Sequence, residues 1–467
     1  MEAKKNVAGQ KDEMNHSNHS ISQWWLSVVL ACCVLFFTVW ALSGHWKDAK
    51  NIIASDVVEY HSYLPAVLVY HDISMKFLGE NKEAMSDRIR GYRLPNGNHV
   101  VKMSMGMSLL YAPFYFAGHW YAMHSGYPAD GFSQPYGVAL TVGSLFYFFA
   151  GVILLGIVLA RYFEQKVVSL VLVMLIFATN ISYYLLREPA MSHTYSFFLF
   201  AAFLLLTVRW YEKRSIGISL LLGLTFGLIT LVRPTNGLIA IVFLVWNIDT
   251  YRGAKARIAM LSGDLRTTLL LAACAFLVWV PQMVYWKEVT GHLLFYSYVD
   301  EGFHFLNPKV FDVLFGFRKG WFVYTPVMLV SVFGFYVLFR TQRKLFWPLA
   351  IFFSLNIYVI SSWWCWWYGG SYGHRAFIES YVVMAFPLAA FLQTVIAKGS
   401  RWRWLTYAFC LLFVVHNFSQ LIKVKNGALS FDSMTKDAYL EVLWKLYPTD
   451  RYYQLLDPPD FEEAKRN

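Results

Sequence analysis

Long apolar runs alternate with short polar segments along most of the chain. A membrane-spanning helix needs about 20 mostly apolar residues, and many of these runs reach or approach that length. The pattern therefore predicts an all-α fold, a polytopic transmembrane helical bundle of about 11 spans. The predicted spans lie near residues 22–42, 135–160, 167–186, 192–209, 216–231, 235–249, 268–286, 322–340, 346–362, 376–397 and 404–421.

Composition and charge support the same class. Hydrophobic residues make up 57% of the chain and charged residues only 15%, whereas roughly a quarter of the residues in a soluble domain are charged. The net charge of +11 does not indicate nucleic-acid binding, because the basic residues cluster in short loops between the apolar runs. The positive-inside rule places such loops in the cytoplasm. These residues are Lys4, Lys5, Lys11, Arg161, Lys166, Arg209, Lys213, Arg214, Arg252, Lys255, Arg257, Arg266, Arg340, Arg343, Lys344, Lys398, Arg401 and Arg403.

Assigning the basic loops to the cytoplasm sets the predicted organisation of the chain. Residues 1–21 form a cytoplasmic tail, residues 22–422 form the transmembrane domain, and residues 423–467 form a tail on the outer face. The first outer loop covers residues 43–134. In a bacterium this arrangement corresponds to the inner membrane, with the carboxyl terminus in the periplasm.

The stretch 101–123 is apolar enough to resemble another span. Counting it as one crossing would reverse the side of every later loop. It contains Lys102, Pro113 and His119, so we expect a helix lying on the outer membrane surface. A re-entrant hairpin is the alternative.

Candidate chemistry begins in the segment "SDVVEYHSY", which follows the first predicted span. Ser55 is placed to cap a helix on which Glu59, Tyr60 and Tyr63 follow Asp56 on one face. This face gathers two carboxylates and two phenols, a set suited to acid–base chemistry. Alternatively, the two acids merely stabilise the positive end of the helix dipole.

Other polar side chains fall in the predicted outer loops. Lys102 precedes an apolar stretch, where it either binds a substrate or reaches the lipid headgroups. His193 follows Arg187 and Glu188 at a turn between two spans, where ionisable groups are usually paired or functional. Lys319, directly before a span, is placed to hold either a phosphate or anionic headgroups.

Two further segments suggest structure rather than chemistry. Arg233 precedes Pro234, and proline commonly begins a new helix, so a structural turn is favoured there. Asp300, Glu301 and His304 have no specific metal-ligand spacing and are expected to form a solvated surface. The five cysteines show no paired spacing and are expected to be small buried hydrophobes. We expect no metal and no cofactor.

The segment "SSWWCWWYGGSYGHRAFIESY" combines three features at one predicted outer boundary. Its tryptophans are typical of an interfacial aromatic belt. Gly369, Gly370 and Gly373 permit a tight turn, and His374 and Arg375 follow where the next apolar helix begins. A cation at a helix N-terminus favours an anion, so the segment predicts a site for the phosphate head of a long-chain lipid. A topological anchor is the alternative.

These motifs together resemble the GT-C superfamily of integral membrane glycosyltransferases, especially bacterial relatives of protein O-mannosyltransferases and aminoarabinose transferases. The resemblance covers roughly residues 22–422 and rests on the order and sidedness of several short motifs. The motifs are Asp56 with Tyr60 and Tyr63, "KMSMGMSLLYAPF", "MSHTYSFF", "LVRPTNG", "FGFRKGWFVYTPV" and "WWYGGSYGHRAFIESY".

The resemblance implies a membrane enzyme that moves a sugar from a polyprenyl-phosphate carrier to a hydroxyl or amine acceptor on the outer face. In this family an acidic residue of the first outer loop is the catalytic base, and Asp56 is the matching position. Its partners would be membrane lipids, the lipid-linked donor and a glycan, lipid or protein acceptor. Many relatives carry two adjacent acids, whereas Glu59 stands one helical turn from Asp56.

Within this resemblance the remaining polar residues are expected to bind substrate. Arg375 and Lys102 are the favoured phosphate ligands, followed by His193 and Lys319. Glu59 is expected to position the acceptor or the sugar. The other expected substrate contacts are Tyr60, Tyr63 and His374. Because phosphate is a good leaving group, one base and nearby cations suffice, and direct attack would invert the anomeric centre.

Two other functions compete with glycosyl transfer. A transporter or flippase of a lipid-linked or small polar solute would typically show inverted repeats and polar groups near the membrane midplane. No convincing repeat is visible here, and the polar groups concentrate at the outer boundary. A non-catalytic membrane scaffold would leave the asymmetric placement of acidic, histidine and arginine residues without a purpose.

Overall fold

The computed structural model describes residues 24–77 and 92–466. The predicted cytoplasmic tail, residues 1–21, lies outside the described residues. The described chain is helical except for a short antiparallel ribbon of β1 (Tyr92–Arg93) and β2 (His99–Val100). The all-α prediction is therefore confirmed.

Twenty α-helices follow one another along the described chain. They are α1 (Trp24–Ser43), α2 (Asp56–Leu68), α3 (Gly106–His124), α4 (Gln134–Leu159), α5 (Gln165–Phe177), α6 (Ile181–Leu186), α7 (Ser192–Glu212), α8 (Ile216–Val232), α9 (Ala240–Val245), α10 (Tyr251–Gly263), α11 (Leu265–Thr290), α12 (Val310–Phe315), α13 (Trp321–Tyr324), α14 (Val327–Thr341), α15 (Arg343–Ser361), α16 (Tyr381–Ile396), α17 (Ser400–Lys425), α18 (Lys436–Glu441), α19 (Asp450–Gln454) and α20 (Phe461–Arg466). Short 3-10 helices cover His45–Lys47, Ala49–Asn51, Pro234–Ile239 and Arg375–Phe377.

Six of these helices are long and apolar enough to cross a membrane: α1, α4, α7, α11, α15 and α17. Helices α4 and α7 are mostly buried within the bundle, whereas α1, α11 and α17 expose most of their apolar surface. Apolar side chains that are exposed along whole helices are stable only against lipid or a partner. The chain is therefore a membrane protein. Five shorter apolar segments coincide with the remaining predicted spans: α5, α8, Pro234–Val245, α14 and α16.

The basic loops meet at one end of the bundle, which we call the basic end. There Arg161 pairs with Glu212, and Arg214 lies 3.6 Å from Asp264. Helix α10, which the hydrophobic pattern did not predict, also lies there and buries no side chain. The opposite end carries Asp56 and is called the Asp56 end.

The contacts of helix α3 show whether residues 101–123 run from one end of the bundle to the other. Gly106, at its start, packs against Val232 at the end of α8. Further along, Phe114 contacts Gly143, and Gly118 lies against Pro135, so α3 runs antiparallel to the first part of α4. The helix therefore stays at the Asp56 end and does not run to the basic end.

Several predicted spans are interrupted in the structure. The segment 322–340 is divided into α13 and α14, and the segment 235–249 begins as the 3-10 helix Pro234–Ile239 and continues as α9. The segment 167–186 is broken into α5 and α6, with Thr179 and Asn180 buried between them. Asn180 accepts a hydrogen bond from the Tyr381 hydroxyl at 2.7 Å and donates one to the Tyr372 carbonyl. A buried polar side chain needs such partners, and they are reached only where the helix is interrupted.

The carboxyl-terminal tail packs across the Asp56 end. Leu429, Tyr439 and Tyr452 form an apolar cluster with Tyr324 and Tyr372 of the bundle. Apolar burial of this kind fixes the tail in place without making it an independent domain.

Candidate functional site

A cluster of buried charged and polar side chains lies at the Asp56 end. It forms where the starts of α2 and α7, the end of α8 and the 3-10 helix Arg375–Phe377 approach one another. We call it the Asp56 cluster, and its members are Asp56, Glu59, Tyr60, Glu188, His193, Arg233, Lys319, Arg375 and Glu379.

Asp56 begins α2 and is paired with Arg375. The Oδ2 atom of Asp56 lies 3.6 Å from Nη2 of Arg375, and the two side chains are 21% and 14% exposed. Ser55, directly before Asp56, has φ 50°, a backbone conformation that non-glycine residues rarely adopt. The expected Ser55 cap is wrong, because the Ser55 side chain makes no capping hydrogen bond. The carboxylate of Asp56 is therefore partly accessible to solvent and is paired with the guanidinium group of Arg375.

Arg375 keeps part of its hydrogen-bonding capacity unused. Its Nε atom is buried and has no hydrogen-bond partner among the described residues. The preceding turn is tight, as expected, with Gly369 at φ 66° and Gly373 at φ 60°. The expected helix N-terminus is wrong, however, because Arg375 starts a three-residue 3-10 helix and α16 begins only at Tyr381. Anion binding here therefore depends on the guanidinium group itself, which suits phosphate well.

Glu379 pairs with His193 and Arg233 beside the pair of Asp56 and Arg375. Its Oε1 atom lies 3.2 Å from Nδ1 of His193 and 3.7 Å from Nη1 of Arg233. Glu379 is 2% exposed and His193 is fully buried. A buried carboxylate needs such partners, because desolvation without them is costly. His193, expected to bind phosphate, is therefore engaged with a carboxylate.

Glu59 lies one helical turn from Asp56 and is almost completely buried. Its Oε2 atom accepts a hydrogen bond from the Met103 amide at 3.1 Å. Burial and the nearby charge of Asp56 raise the pKa of Glu59 to about 7. Glu59 can therefore exchange a proton near neutral pH, a property that acid–base groups of active sites share.

Tyr60 belongs to the cluster, whereas Tyr63 does not. Tyr60 is buried and lies within electrostatic reach of Asp56 and Arg233. Tyr63 instead donates its hydroxyl to the Met103 carbonyl at 2.7 Å, and its ring packs against Tyr285. The structure gives Tyr63 a place in an apolar cluster away from Asp56.

Lys319 reaches the cluster from the turn before α13. It is 1% exposed, and its Nζ atom donates to the Ser371 carbonyl. Burial, with the nearby charge of Arg375, lowers the pKa of Lys319 to about 7. The neighbouring Glu188 accepts a hydrogen bond from the Tyr183 hydroxyl at 2.9 Å, and burial raises the pKa of this carboxyl. A bound phosphate would favour the charged form of Lys319.

Lys102 and His374 already have other partners. Nζ of Lys102 lies 2.5 Å from Oε1 of Glu301 and 4.8 Å from the centre of the Tyr298 ring. Nε2 of His374 lies 3.0 Å from the Trp366 carbonyl oxygen, and burial lowers the pKa of His374 to about 3. His374 is therefore neutral and brings no positive charge to a phosphate. Of the two residues favoured as phosphate ligands, Lys102 is neutralised by Glu301, whereas Arg375 keeps an unpartnered Nε donor.

Several residues of this region take roles that their sequence context did not predict. Arg233 was expected to form a turn only, yet its guanidinium group pairs with Glu379 inside the cluster. Glu301 was expected to be solvated, yet it binds Lys102 and accepts a hydrogen bond from the Trp364 indole at 3.1 Å. A signal existed for Glu379, because it is an isolated acid beside a long apolar run. The same signal marked Arg233, the only charged residue between Arg214 and Asp249, but the proline after it favoured a structural turn.

Two cavities lie near this region. An apolar groove of about 650 Å³ lies between α6, the end of α17 and the carboxyl-terminal tail. Its wall includes Tyr183, whose hydroxyl binds Glu188 of the Asp56 cluster. A second pocket of about 390 Å³ lies beneath residues 457–464 of the tail. Among the described residues, no group of three or more His, Cys, Asp or Glu side chains is placed to hold a metal ion.

The chain is thus a helical membrane protein with a buried charged cluster at one end of its bundle. No known protein family matches the chain, and no curated protein is detectably similar in sequence.

Proposed function

We propose that the chain is a membrane glycosyltransferase of the GT-C type. It takes a sugar from a polyprenyl-phosphate donor and transfers it to a hydroxyl or amine acceptor at the Asp56 end. The observation that carries this proposal is the pairing of Asp56 with Arg375 at 3.6 Å. The pair supplies one group for each half of the reaction, a base for the acceptor and a cation for the departing phosphate.

The proposed reaction is a single displacement. The acceptor oxygen or nitrogen attacks the anomeric carbon while the carboxylate of Asp56 takes its proton. The bond between the anomeric carbon and the phosphate oxygen breaks, and the phosphate leaves with the bonding electrons. Arg375 stabilises its negative charge, and its unpartnered Nε provides a donor beyond those facing Asp56. Because phosphate leaves readily, no strong general acid is needed, and the anomeric centre is inverted.

The neighbouring groups assist in this proposal. Lys319, whose pKa lies near 7, becomes fully protonated beside a phosphate and adds a second cation. Glu59 positions the acceptor or the sugar through its second oxygen, since the first accepts the Met103 amide hydrogen. The pair of Glu379 and Arg233 holds the adjacent wall rigid.

The carrier lipid is assigned to the apolar groove. Leu186, Phe418 and Leu421 are among its apolar lining residues, and Arg187 and Lys425 lie at its polar positions. Tyr183 links the groove to Glu188, which lies within electrostatic reach of Arg375. An isoprenoid chain in this groove would direct its phosphate towards Arg375.

The finer membrane arrangement is part of the same proposal. The six long helices and the five shorter apolar segments together make eleven crossings between the basic end and the Asp56 end. The basic end faces the cytoplasm of a bacterium, and the Asp56 cluster opens on the periplasmic face. The segments α5 and α6 act together as one crossing, which compensates for the short length of each.

The test measures release of free polyprenyl phosphate by mass spectrometry. The purified protein and its Asp56→Asn variant are incubated with a panel of polyprenyl-phosphate sugars and an envelope extract as the source of acceptor. Release by the wild type alone supports the proposal and identifies the donor. If the folded wild type releases no polyprenyl phosphate from any donor, the enzyme proposal fails. A flipping assay in vesicles then tests the transporter reading.

A further inference from the structure

The pocket beneath the carboxyl-terminal tail is separate from the Asp56 cluster and has no role in the reaction above. It has a volume of about 390 Å³ and lies between the start of the Ser361–Trp367 turn, the loop 304–318 and the tail. We call it the tryptophan pocket. Its lining residues used below are His304, Lys309, Asp312, Arg318, Ser361, Ser362, Trp363, Trp364, Trp366, Trp367, Asp457 and Asp460.

Three of these residues carry buried polar atoms without a partner. Oγ of Ser361, Nε1 of Trp367 and Nε2 of His304 have no hydrogen-bond partner among the described residues. Ser361 is 1% exposed and Trp367 is 4% exposed. A buried polar group left unsatisfied is costly, and such groups are rare in folded proteins. These three residues all line one cavity, and a ligand that donates and accepts hydrogen bonds would satisfy the three atoms if the side chains turned towards it.

The rest of the lining is rich in indole rings, from Trp363, Trp364, Trp366 and Trp367. Phe461, Lys465 and Arg318 already pack over Trp364 and Trp367, so these two rings offer only part of their surface. The remaining indole surface provides apolar contacts for the C–H groups of a pyranose ring, and the polar lining atoms provide partners for its hydroxyl groups. Ligand pockets generally combine apolar walls with a few placed polar groups in this way. The expected belt at the membrane boundary is wrong for Trp364 and Trp367, which are buried beneath Phe461 of the tail.

The charges of the pocket argue against a phosphate. Arg318 donates to the Asp432 carbonyl at 2.7 Å and pairs with Asp457 at 3.1 Å. Oδ1 of Asp460 accepts hydrogen bonds from two backbone amides at the start of α20. With Asp312 also in the lining, the acidic groups outnumber the cations that remain for a ligand. A neutral polyhydroxyl ligand fits this balance better than an anion.

The pocket is connected to the Asp56 cluster through residues that lie between them, among them Tyr298, which is within electrostatic reach of Asp56 and Arg233. The indole of Trp364 binds Glu301, and the ring of Trp363 packs against Tyr298 at 5.7 Å. The carbonyl of Trp366 contacts His374, the residue before Arg375. A ligand in this pocket therefore lies beside the proposed reaction centre without occupying it.

We propose that the tryptophan pocket binds a pyranose unit of a saccharide acceptor. Binding of the sugar follows from the pocket alone, whereas its role as acceptor rests on the proposed function and names the acceptor class. The bound unit holds the acceptor chain at the Asp56 end, and a neighbouring unit reaches Asp56. The Ser361 hydroxyl and the Trp367 indole bind its hydroxyl groups.

The test compares two adjacent serines of the pocket. Ser361 has a free buried hydroxyl, whereas the Ser362 hydroxyl already donates to the Tyr358 carbonyl at 2.7 Å. The full-length protein in nanodiscs is titrated with methyl glycosides of glucose, galactose, mannose and N-acetylglucosamine, and with the matching disaccharides. Saturation-transfer NMR detects weak binding of these probes. The variants are Ser361→Ala, Ser362→Ala and Asp56→Asn, each checked for folding by thermal unfolding.

The proposal predicts that at least one glycoside binds to the wild type and equally to Asp56→Asn. Ser361→Ala should weaken that binding about fivefold, the usual value of one hydrogen bond, and Ser362→Ala should not. Absence of glycoside binding to the folded wild type, or equal loss in both serine variants, overturns the proposal. Binding without any sugar transfer would refute the proposed function and leave the pocket as a saccharide site. Sugar transfer without glycoside binding would refute the saccharide pocket and leave the proposed function standing.

Discussion

Asp56 and Arg375 lie on opposite halves of the chain, yet their Oδ2 and Nη2 atoms are 3.6 Å apart at the end of the helical bundle. Asp56 begins α2, and Arg375 begins the 3-10 helix between α15 and α16. At this separation the two charges are associated without a short hydrogen bond, and a further polar group can bind only beside the pair. This relationship makes separate predictions for each residue.

Replacing Asp56 by Asn should abolish sugar transfer with little effect on folding. The substitution keeps the size of the side chain but removes the proton acceptor, so transfer should fall by about 100-fold or more. The initial rate of polyprenyl-phosphate release measures the effect. Asp437→Asn, which removes an exposed carboxylate on the tail, should leave the rate unchanged. Comparable rates for Asp56→Asn and the wild type would exclude Asp56 as the base.

Replacing Arg375 by Lys should mainly weaken donor binding. Lysine keeps the positive charge but lacks the planar fork that binds a phosphate through two N–H groups. The KM for the donor should rise about tenfold or more, the value of one charge-assisted hydrogen bond. The exposed Arg451 provides the matched control, and Arg451→Lys should leave KM unaffected. If kcat fell while KM stayed constant, Arg375 would not contact the phosphate of the donor in the bound complex before the reaction.

Replacing Glu379 by Gln should destabilise the protein strongly. The change removes the carboxylate partner of Arg233, whose side chain is 19% exposed, and of the fully buried His193. Breaking a fully buried pair costs about 3–5 kcal/mol, and partial exposure of Arg233 sets the expected loss at the lower end, about 3 kcal/mol. The double variant Arg233→Met with Glu379→Gln should lose less stability than the two single variants added together, because neither charge remains unpaired. Thermal unfolding followed by tryptophan fluorescence measures the differences.

The control for this cycle is the surface pair of Glu441, which is 16% exposed, and Lys445, which is 49% exposed; their charged atoms are 2.5 Å apart. Glu441→Gln should change the free energy of unfolding by less than about 1 kcal/mol, as is usual for surface pairs. Strict additivity of the Arg233 and Glu379 variants would show that the two side chains do not interact.

The hydrophobic pattern predicted the helices better than their interruptions. Each of the eleven predicted spans coincides with an apolar helical segment, because burial in lipid demands long apolar runs. The break at Asn180 was not predicted, because it depends on Tyr372 and Tyr381, far away along the chain. The distribution of basic loops led to the prediction that α3 stays at one end of the bundle. In the structure, close contacts of Gly106 and Gly118 hold α3 there.

The candidate site was predicted in part. Spacing on α2 placed Asp56, Glu59 and Tyr60 together, since neighbouring helical turns always share a face. It also favoured Tyr63, which turns instead towards Tyr285 because an apolar cluster is available there. The pairing of Glu379 with Arg233 joins two distant segments and cannot be read from local spacing. Charge alone likewise did not reveal that Glu301 neutralises Lys102.

Glu59→Gln should make stability less sensitive to pH. Because the pKa of Glu59 rises from 4.5 to about 7 on folding, its stabilising contribution is present below pH 4.5 and is lost as the pH rises through 7. Above that pH the wild type must ionise a buried carboxyl, at a cost of about 3 kcal/mol at most. The melting temperature of the variant relative to wild type should therefore rise between pH 5 and pH 8.5 (about the practical range of the measurement). The control is Glu462→Gln, because the Glu462 side chain is 73% exposed in the wild type, and it should show no such trend. If the difference in melting temperature between Glu59→Gln and the wild type did not change with pH, Glu59 would not titrate in this window.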